Sequence, residues 1–389
     1  MKILFFNYEY PPLGGGAANA TAYLLKEYSK IPDLEVDLIT SSIDKSYHLE
    51  KIGENISVHR IPIGKNEKNL HYQSQKELII YAFKAYFFAK KLASKNTYAL
   101  SHSFFTIPCG FVSYLLKRKY KIPYIISLRG SDVPGYSERF TFLYSFIKPL
   151  VRLIWKNSSA VVSNSQGLKD LALKTNPEQE ISVIPNGIDI NQFVKLESQK
   201  VESLNTQNFK ILCVTRITPR KGIKYLIEAF KKLSEKNDNI SLQIIGDGDE
   251  KESLENLARE LKIENKVEFT GLVPHEKLPP YFQSADVFIL PSLNEGMSNS
   301  MLEALASGLP LIATDTGGTK ELLEDEVNGF IVKMKDSQDL ADKIKIMMRN
   351  RELRKRMGEE SRKKTQNLSW EKVANQYLDL YLKINGLKN

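Results

Sequence analysis

The string Pro291-Ser292-Leu293-Asn294-Glu295-Gly296-Met297-Ser298-Asn299-Ser300-Met301-Leu302-Glu303-Ala304 holds two glutamates separated by seven residues. Its pattern predicts a loop at Glu295, after a strand, and a helix that carries Glu303 about one turn in. Two carboxylates so placed could fix two sets of sugar hydroxyls through charge-assisted hydrogen bonds. Backbone N–H groups of Gly296, Met297, Ser298 and Asn299 at the helix start could meet developing negative charge. A capping carboxylate plus an exposed helix glutamate accounts for each residue separately but not for the whole string.

Arg216 follows the apolar run Ile211-Leu212-Cys213-Val214, and Lys221 comes just before Gly222 and the next helix. A guanidinium and an ammonium at the carboxyl end of a strand suit a diphosphate. Near the start of the chain, Gly14-Gly15-Gly16 sits between a strand and a helix, where the backbone can approach a ligand and offer N–H groups to phosphate. It lacks the G-x-G-x-x-G order of a dinucleotide site, and a tight structural turn is the competing reading. Asp247-Gly248-Asp249 imitates a metal-binding Asp-x-Asp, but after the strand ending at Gly246 it reads better as a turn.

These residues need strand ends and helix starts to hold them, and the pattern supplies both. Apolar strands are expected near Ile3–Phe6, Val36–Thr40, Ser57–Ile61, Tyr98–Ser101, Tyr124–Ser127, Ala160–Ser163 and Ser182–Ile184. A helix is expected from Ala17 to about Ser29. A second series begins at Lys210–Val214, with a helix near Tyr225–Leu233. It continues with strands near Ser241–Ile245, Val267–Thr270, Val287–Leu290, Leu311–Ala313 and Phe330–Val332. Strands alternating with helices mean parallel sheets, and two facing doubly wound α/β domains are the economical architecture. The expected divisions are residues 1–185, a linker at 186–208, a second domain at 209–366, and a last helix at 367–389 packing back on the first domain.

The net charge of +9 is unevenly distributed. Residues 1–185 hold 24 basic against 15 acidic residues, and the remainder is neutral. Between Glu77 and Asp132 there are nine basic and no acidic residues, which points to an anionic partner. Cys109 and Cys213 are the only cysteines, which excludes a disulfide scaffold and a cysteine-rich metal site. The absence of a long apolar run argues against membrane spanning, and a cytoplasmic protein is expected.

Taken together, the Glu295–Glu303 spacing resembles the E-x7-E signature of retaining glycosyltransferases of family 4, which have the GT-B fold with a cleft between two Rossmann-like domains. The early glycine loop, Arg216…Lys221-Gly222, Asn186-Gly187-Ile188-Asp189…Phe193, Gly246-Asp247-Gly248 and Leu368-Ser369-Trp370 stand in that family's order. The resemblance implies that Gly15 and Gly16 approach the donor's diphosphate or sugar, with Gly246 lining the same site. It implies that Arg216 and Lys221 neutralise the leaving diphosphate. Glu295 would hold hydroxyls of the transferred sugar, with Gly296–Ser300 nearby, and Glu303 would bind the ribose.

Two departures bear on catalysis. A His-x-His pair common in relatives reads Ser101-His102-Ser103-Phe104 here, and a Thr-His-Gly pattern reads Leu128-Arg129-Gly130. A catalytic histidine role therefore falls to His102 alone or passes to Asp132 or Arg129, with a structural His102 as the competing reading. Arg129 and Asp132 are expected on the acceptor side.

The implied activity is retaining, metal-independent transfer from a nucleotide-sugar to a glycan or lipid-linked acceptor in surface polysaccharide biosynthesis. The nucleotide-sugar is the donor substrate, a UDP-sugar ahead of a GDP-sugar, and no cofactor or metal is expected. The aromatic stretches Tyr81–Phe88 and Phe140–Trp155, interleaved with lysine, would suit the inner face of an anionic membrane, although they read equally well as core. A sugar-nucleotide epimerase of the same fold is the alternative. A nicotinamide enzyme and a nucleic-acid binder are disfavoured.

Overall fold

The computed structural model describes the chain except residues 66–69, 71–72, 137–140, 194–207 and 388–389, and the side chains of 141–145. The chain forms two compact units, Met1–Gly187 with Trp370–Asn389, and Ile188–Ser369.

The first unit is built on eight strands: β1 (Lys2–Phe6), β2 (Glu35–Ser41), β3 (His48–Ile52), β4 (Ile56–Ile61), β5 (Leu100–Phe104), β6 (Tyr124–Leu128), β7 (Ala160–Ser163) and β8 (Ile181–Val183). Their order in the sheet is β3-β4-β2-β1-β5-β6-β7-β8. All neighbours are parallel except β3, which pairs antiparallel with β4. Helices α1 (Gly16–Tyr28), α2 (Gln75–Ala93), α3 (Phe111–Tyr120), α4 (Thr141–Asn157) and α5 (Gln166–Leu173) provide crossovers. Strands covered on both faces must be apolar throughout, which is why Ile3, Leu4, Phe5 and Phe6 are all fully buried.

Two features depart from the expected strand pattern. β3 was not foreseen because four of its five residues are exposed, leaving no apolar signal at this charged sheet edge. The strand expected at Tyr98–Ser101 instead runs from Leu100 to Phe104. His102 therefore lies inside a central strand rather than beyond its end.

The helix Trp370–Ile384 belongs to the first unit. The Tyr28 hydroxyl donates to the Tyr381 hydroxyl oxygen at 3.3 Å, and Trp370 stacks on Tyr23 with ring centroids 5.2 Å apart. Gly187 is required there, since a Cβ would lie 2.6 Å from the Trp370 ring.

The second unit has six parallel strands: β9 (Phe209–Val214), β10 (Ile240–Ile245), β11 (Val267–Gly271), β12 (Val287–Leu290), β13 (Leu311–Thr314) and β14 (Gly329–Val332). The order β11-β10-β9-β12-β13-β14 is the doubly wound 3-2-1-4-5-6 arrangement. Of the linker expected at 186–208, residues 194–207 lie outside the described part. Its preceding stretch is not a tether: Ile190–Phe193 forms a short helix, and Phe193 is fully buried in the core of the second unit.

Candidate functional site

In a doubly wound sheet, ligands bind beyond the carboxyl ends of the strands at the point where the winding reverses. In the second unit that point lies between β9 and β12, which are neighbours. The loop after β9 carries Arg216 and Lys221, and the loop after β12 carries Glu295. Strand order thus brings together the two segments that the sequence singled out independently.

Backbone contacts fix the two loops to each other. Leu293 N donates to the Arg220 carbonyl at 2.8 Å. Gly222 adopts φ +62°, and a Cβ there would lie 2.3 Å from the Pro291 carbonyl oxygen, so only glycine lets the loops approach this closely. Lys221 is 9% exposed, and its ammonium donates to Glu295 Oε2 in a close ion pair. Ser292 Oγ donates to the same carboxylate oxygen at 3.3 Å. Arg216, by contrast, is exposed at the strand end.

Gly246 closes the other side of the β9 loop. Its φ is +139°, and a Cβ would sit 1.9 Å from the Thr215 carbonyl oxygen. Its role here is thus to let β10 pass the β9 loop. Asp247 accepts from Gly248 N at 2.9 Å through its side chain, as a turn residue does. Among the described residues, no group of three or more His, Cys, Asp or Glu side chains is placed to hold a metal ion.

After Glu295 the chain makes a second close approach: a Cβ on Gly318 would fall 2.0 Å from the Gly296 carbonyl oxygen. The helix Asn299–Ala306 then begins. Ser298 caps it, accepting from Met301 N at 3.3 Å, and its hydroxyl also lies 3.1 Å from Ser300 Oγ. Met297 is buried beneath this turn.

Glu303, one turn into the helix, is 5% exposed and accepts a hydrogen bond from His275 Nε2 at 2.9 Å. Burial pushes the Glu303 carboxyl above its usual pKa, against the pull of His275. Burial by itself would lower His275, but the hydrogen bond and charge of Glu303, with Glu276 and Asp189, carry it above its usual value. His275 was not singled out from the sequence. A lone histidine in the turn His275–Lys277 has no spacing signature.

In the first unit the corresponding reversal lies between β1 and β5. The glycine loop follows β1, and helix α1 starts at Gly16, which is exposed, after Gly15 with no side-chain cap. Uncapped N–H groups at a helix start suit an anion. Gly14 has φ +93°, and a Cβ there would meet the Glu9 side chain at 2.6 Å.

The other residues expected at this end divide. His102 is fully buried, with Nδ1 2.7 Å from the Tyr381 hydroxyl and Nε2 2.7 Å from Ser127 Oγ. Burial, with the nearby Arg129 charge, holds it well below the usual histidine pKa. Both ring nitrogens are committed inside the sheet, so His102 is a core residue and its expected catalytic role is corrected.

Asp132, at 3% exposure, is likewise corrected from candidate catalyst to loop anchor. Its Oδ1 accepts from Arg129 N at 2.9 Å and Gly130 N at 3.1 Å. Its Oδ2 accepts from Thr106 N at 2.9 Å and Thr106 Oγ1 at 3.1 Å. Burial raises its pKa, while these donors oppose the rise. Arg129 itself lies with its guanidinium 4.9 Å from the centroid of the Phe104 ring and donates to Asn186 Oδ1 at 2.8 Å. Phe104, which stands where a second histidine was expected, thus serves as the platform for Arg129.

The chain is similar to known proteins over nearly its whole length. The sequence model of glycosyl transferases group 1 matches residues 194–364, and that of glycosyltransferase family 4 matches residues 14–192. An uncharacterized glycosyltransferase of Methanocaldococcus jannaschii is 30% identical over 98% of both chains. A putative teichuronic acid biosynthesis glycosyltransferase of Bacillus subtilis is 31% identical over 66% of this chain and 63% of its own length. Among solved structures, a sucrose-phosphate synthase from Thermosynechococcus elongatus superposes with a TM-score of 0.86 at 22% identity, covering 99% of each chain. An Anabaena protein solved with UDP-glucose gives a TM-score of 0.75 at 22% identity, covering 98% of this chain and all of the other.

Proposed function

Because this chain belongs to the family 4 glycosyltransferases and has their GT-B fold, we propose that it moves a sugar from a nucleotide-sugar, a UDP-sugar ahead of a GDP-sugar, to a glycan or lipid-linked acceptor with retention of configuration. The observation that carries this reading is the Lys221–Glu295 pair at the β9/β12 reversal, beside the start of the helix Asn299–Ala306.

In this reading the donor's diphosphate displaces Glu295 as the partner of Lys221. Arg216 supplies a second cation from the exposed strand end. The glycosidic bond to the diphosphate then breaks toward these two charges, which stabilise the leaving group without a metal ion. Glu295, released from Lys221, turns its carboxylate to sugar hydroxyls, and Glu303 receives the ribose. The acceptor oxygen attacks on the face the diphosphate leaves, and its proton passes to the departing phosphate oxygen. Gly15 and Gly16 offer N–H groups to the donor, and Arg129 stands on the acceptor side.

The similarity to a teichuronic acid biosynthesis enzyme supports surface polysaccharide as the product class. The structural neighbour with bound UDP-glucose supports a uridine donor. No helix among the described residues is long and apolar enough to cross a membrane. In this reading a lipid-linked acceptor is met at the inner face of the membrane. An epimerase would use the same diphosphate site, but the family relationship does not favour it.

A thermal-shift panel of UDP-, GDP- and ADP-sugars tests the donor, since a ligand that binds only the folded state raises apparent stability by mass action. NMR of the product anomer tests retention, and assay in EDTA tests metal independence. No shift with any sugar nucleotide, an inverted product, or activity abolished by EDTA and restored by Mn2+ would each overturn its part.

A further inference from the structure

Helix α2 has one face committed to the sheet and one turned to solvent. Tyr81, Ala85 and Ala89 are fully buried, and the Tyr81 hydroxyl donates to the Ile39 carbonyl at 2.8 Å. On the opposite side, Ile79, Phe83 and Phe87 follow at four-residue intervals and are 70%, 66% and 49% exposed. The Phe83 and Phe87 ring centroids are 4.7 Å apart, and Ile79 stands one turn before Phe83 on the same face, so the three side chains line one ridge. Single exposed apolar residues are ordinary, but a ridge spanning successive turns marks a contact surface.

The charge around the ridge identifies what it contacts. Lys76 and Lys90 lie on the same helical face, one turn before Ile79 and one turn after Phe87. Helix α3 packs on α2, and α4 on α3. Together the three helices carry ten basic residues and one acidic residue, Glu77. Glu77 is engaged locally, accepting from Ser74 N at 2.7 Å in a capping box. Arg118, Lys119, Lys148, Arg152 and Lys156 are exposed on α3 and α4. A second copy of the chain docked on this layer would set like charges against each other. A nucleic acid would use the charge but leave the apolar ridge in water.

We propose that the α2 face docks on an anionic lipid surface, with Ile79, Phe83 and Phe87 entering the headgroup–acyl boundary and the surrounding lysines meeting lipid phosphates. The docking rests on the reading of a lipid-linked acceptor for its purpose. Its test needs neither donor nor acceptor, so a failure of the transferase assignment and a failure of docking are separable.

The full chain is sedimented with vesicles of phosphatidylcholine alone and of phosphatidylcholine with phosphatidylglycerol, at low and high salt. The expected result is at least ~10-fold stronger partitioning onto the anionic vesicles, lost at high salt as the Debye length shrinks. Phe83→Ser/Phe87→Ser and Lys76→Glu/Lys90→Glu should each reduce it by about tenfold or more. Met334→Ser, an exposed apolar residue of the second unit, should leave it unchanged. All four side chains altered on α2 lie on the solvent face, and circular dichroism melts verify that the variants fold. Binding to neither vesicle, equal binding to both, or binding indifferent to the α2 variants overturns the proposal. A change of oligomeric state in Phe83→Ser/Phe87→Ser without lipid binding would overturn it in favour of a contact between copies.

Discussion

Glu303 and His275 form a largely buried pair, Nε2 to Oε1 at 2.9 Å, joining the helix after β12 to the turn after β11. The carboxylate proposed to receive the ribose is therefore already held in place by a hydrogen-bonding partner. Lys221 holds Glu295 in the same way, so each of the two glutamates of the signature has its own side-chain partner within the second unit.

The His275–Glu303 pair should make stability depend on pH. His275 has a raised pKa in the folded protein, so its contribution is fully present below the unfolded histidine value and fades as pH rises through the folded value. Glu303, also raised, acts in the same direction at lower pH. Melting temperature should fall on passing upward through the histidine range, and His275→Ala should flatten that dependence. Removing the partner of a buried carboxylate should also cost about 1–3 kcal/mol near neutral pH. Parallel pH–melting curves for the two proteins would refute the coupling.

Arg216→Ala and Lys221→Ala should each reduce turnover by on the order of 100-fold or more, the size of one lost charge-stabilising contact. Their effects on stability should differ. Arg216 is exposed, so its removal should leave the melting temperature nearly unchanged. Lys221→Ala strands Glu295 and should lower it. Steady-state kinetics alongside thermal melts separate the two effects, and near-normal turnover in both variants removes the diphosphate assignment.

Glu303→Ala should weaken binding of the free nucleoside diphosphate, because its proposed partner is the ribose. Glu295→Ala should leave that affinity nearly intact, or raise it by freeing Lys221, while depressing transfer. Isothermal calorimetry with the nucleoside diphosphate distinguishes the two, and matching profiles would sink the division of labour.

His102→Ala should behave as a core mutation. Losing a ring packed 4.3 Å from Phe104 and bonded to Tyr381 and Ser127 should cost about 2–4 kcal/mol. The protein that remains folded should keep kcat within a few-fold of the parent. A loss of several hundred-fold in kcat at full foldedness would restore the catalytic role.

Several determinants were legible in the sequence because they are local. Alternation of apolar strands with helices specifies doubly wound domains, since each strand's pattern reports only whether its own two faces are covered. Gly14, Gly222 and Gly246 mark places where the backbone takes a positive φ, and the Glu295–Glu303 interval follows from one loop and one helical turn. What the sequence left open depends on strand order. β3 escaped because a charged edge strand has no buried face to betray it. His102 looked available until Tyr381, which is 279 residues distant, and Ser127 closed over it. Asp132 looked able to take over a catalytic role until Thr106 and its own loop engaged its oxygens. Lys221 and Glu295 are 74 residues apart and meet only because β9 and β12 are neighbours in the sheet. Periodicity reports how a segment is buried. Which segments adjoin is set by the winding of the whole sheet, and the pairing of charges at its reversal point is a property of the tertiary structure alone.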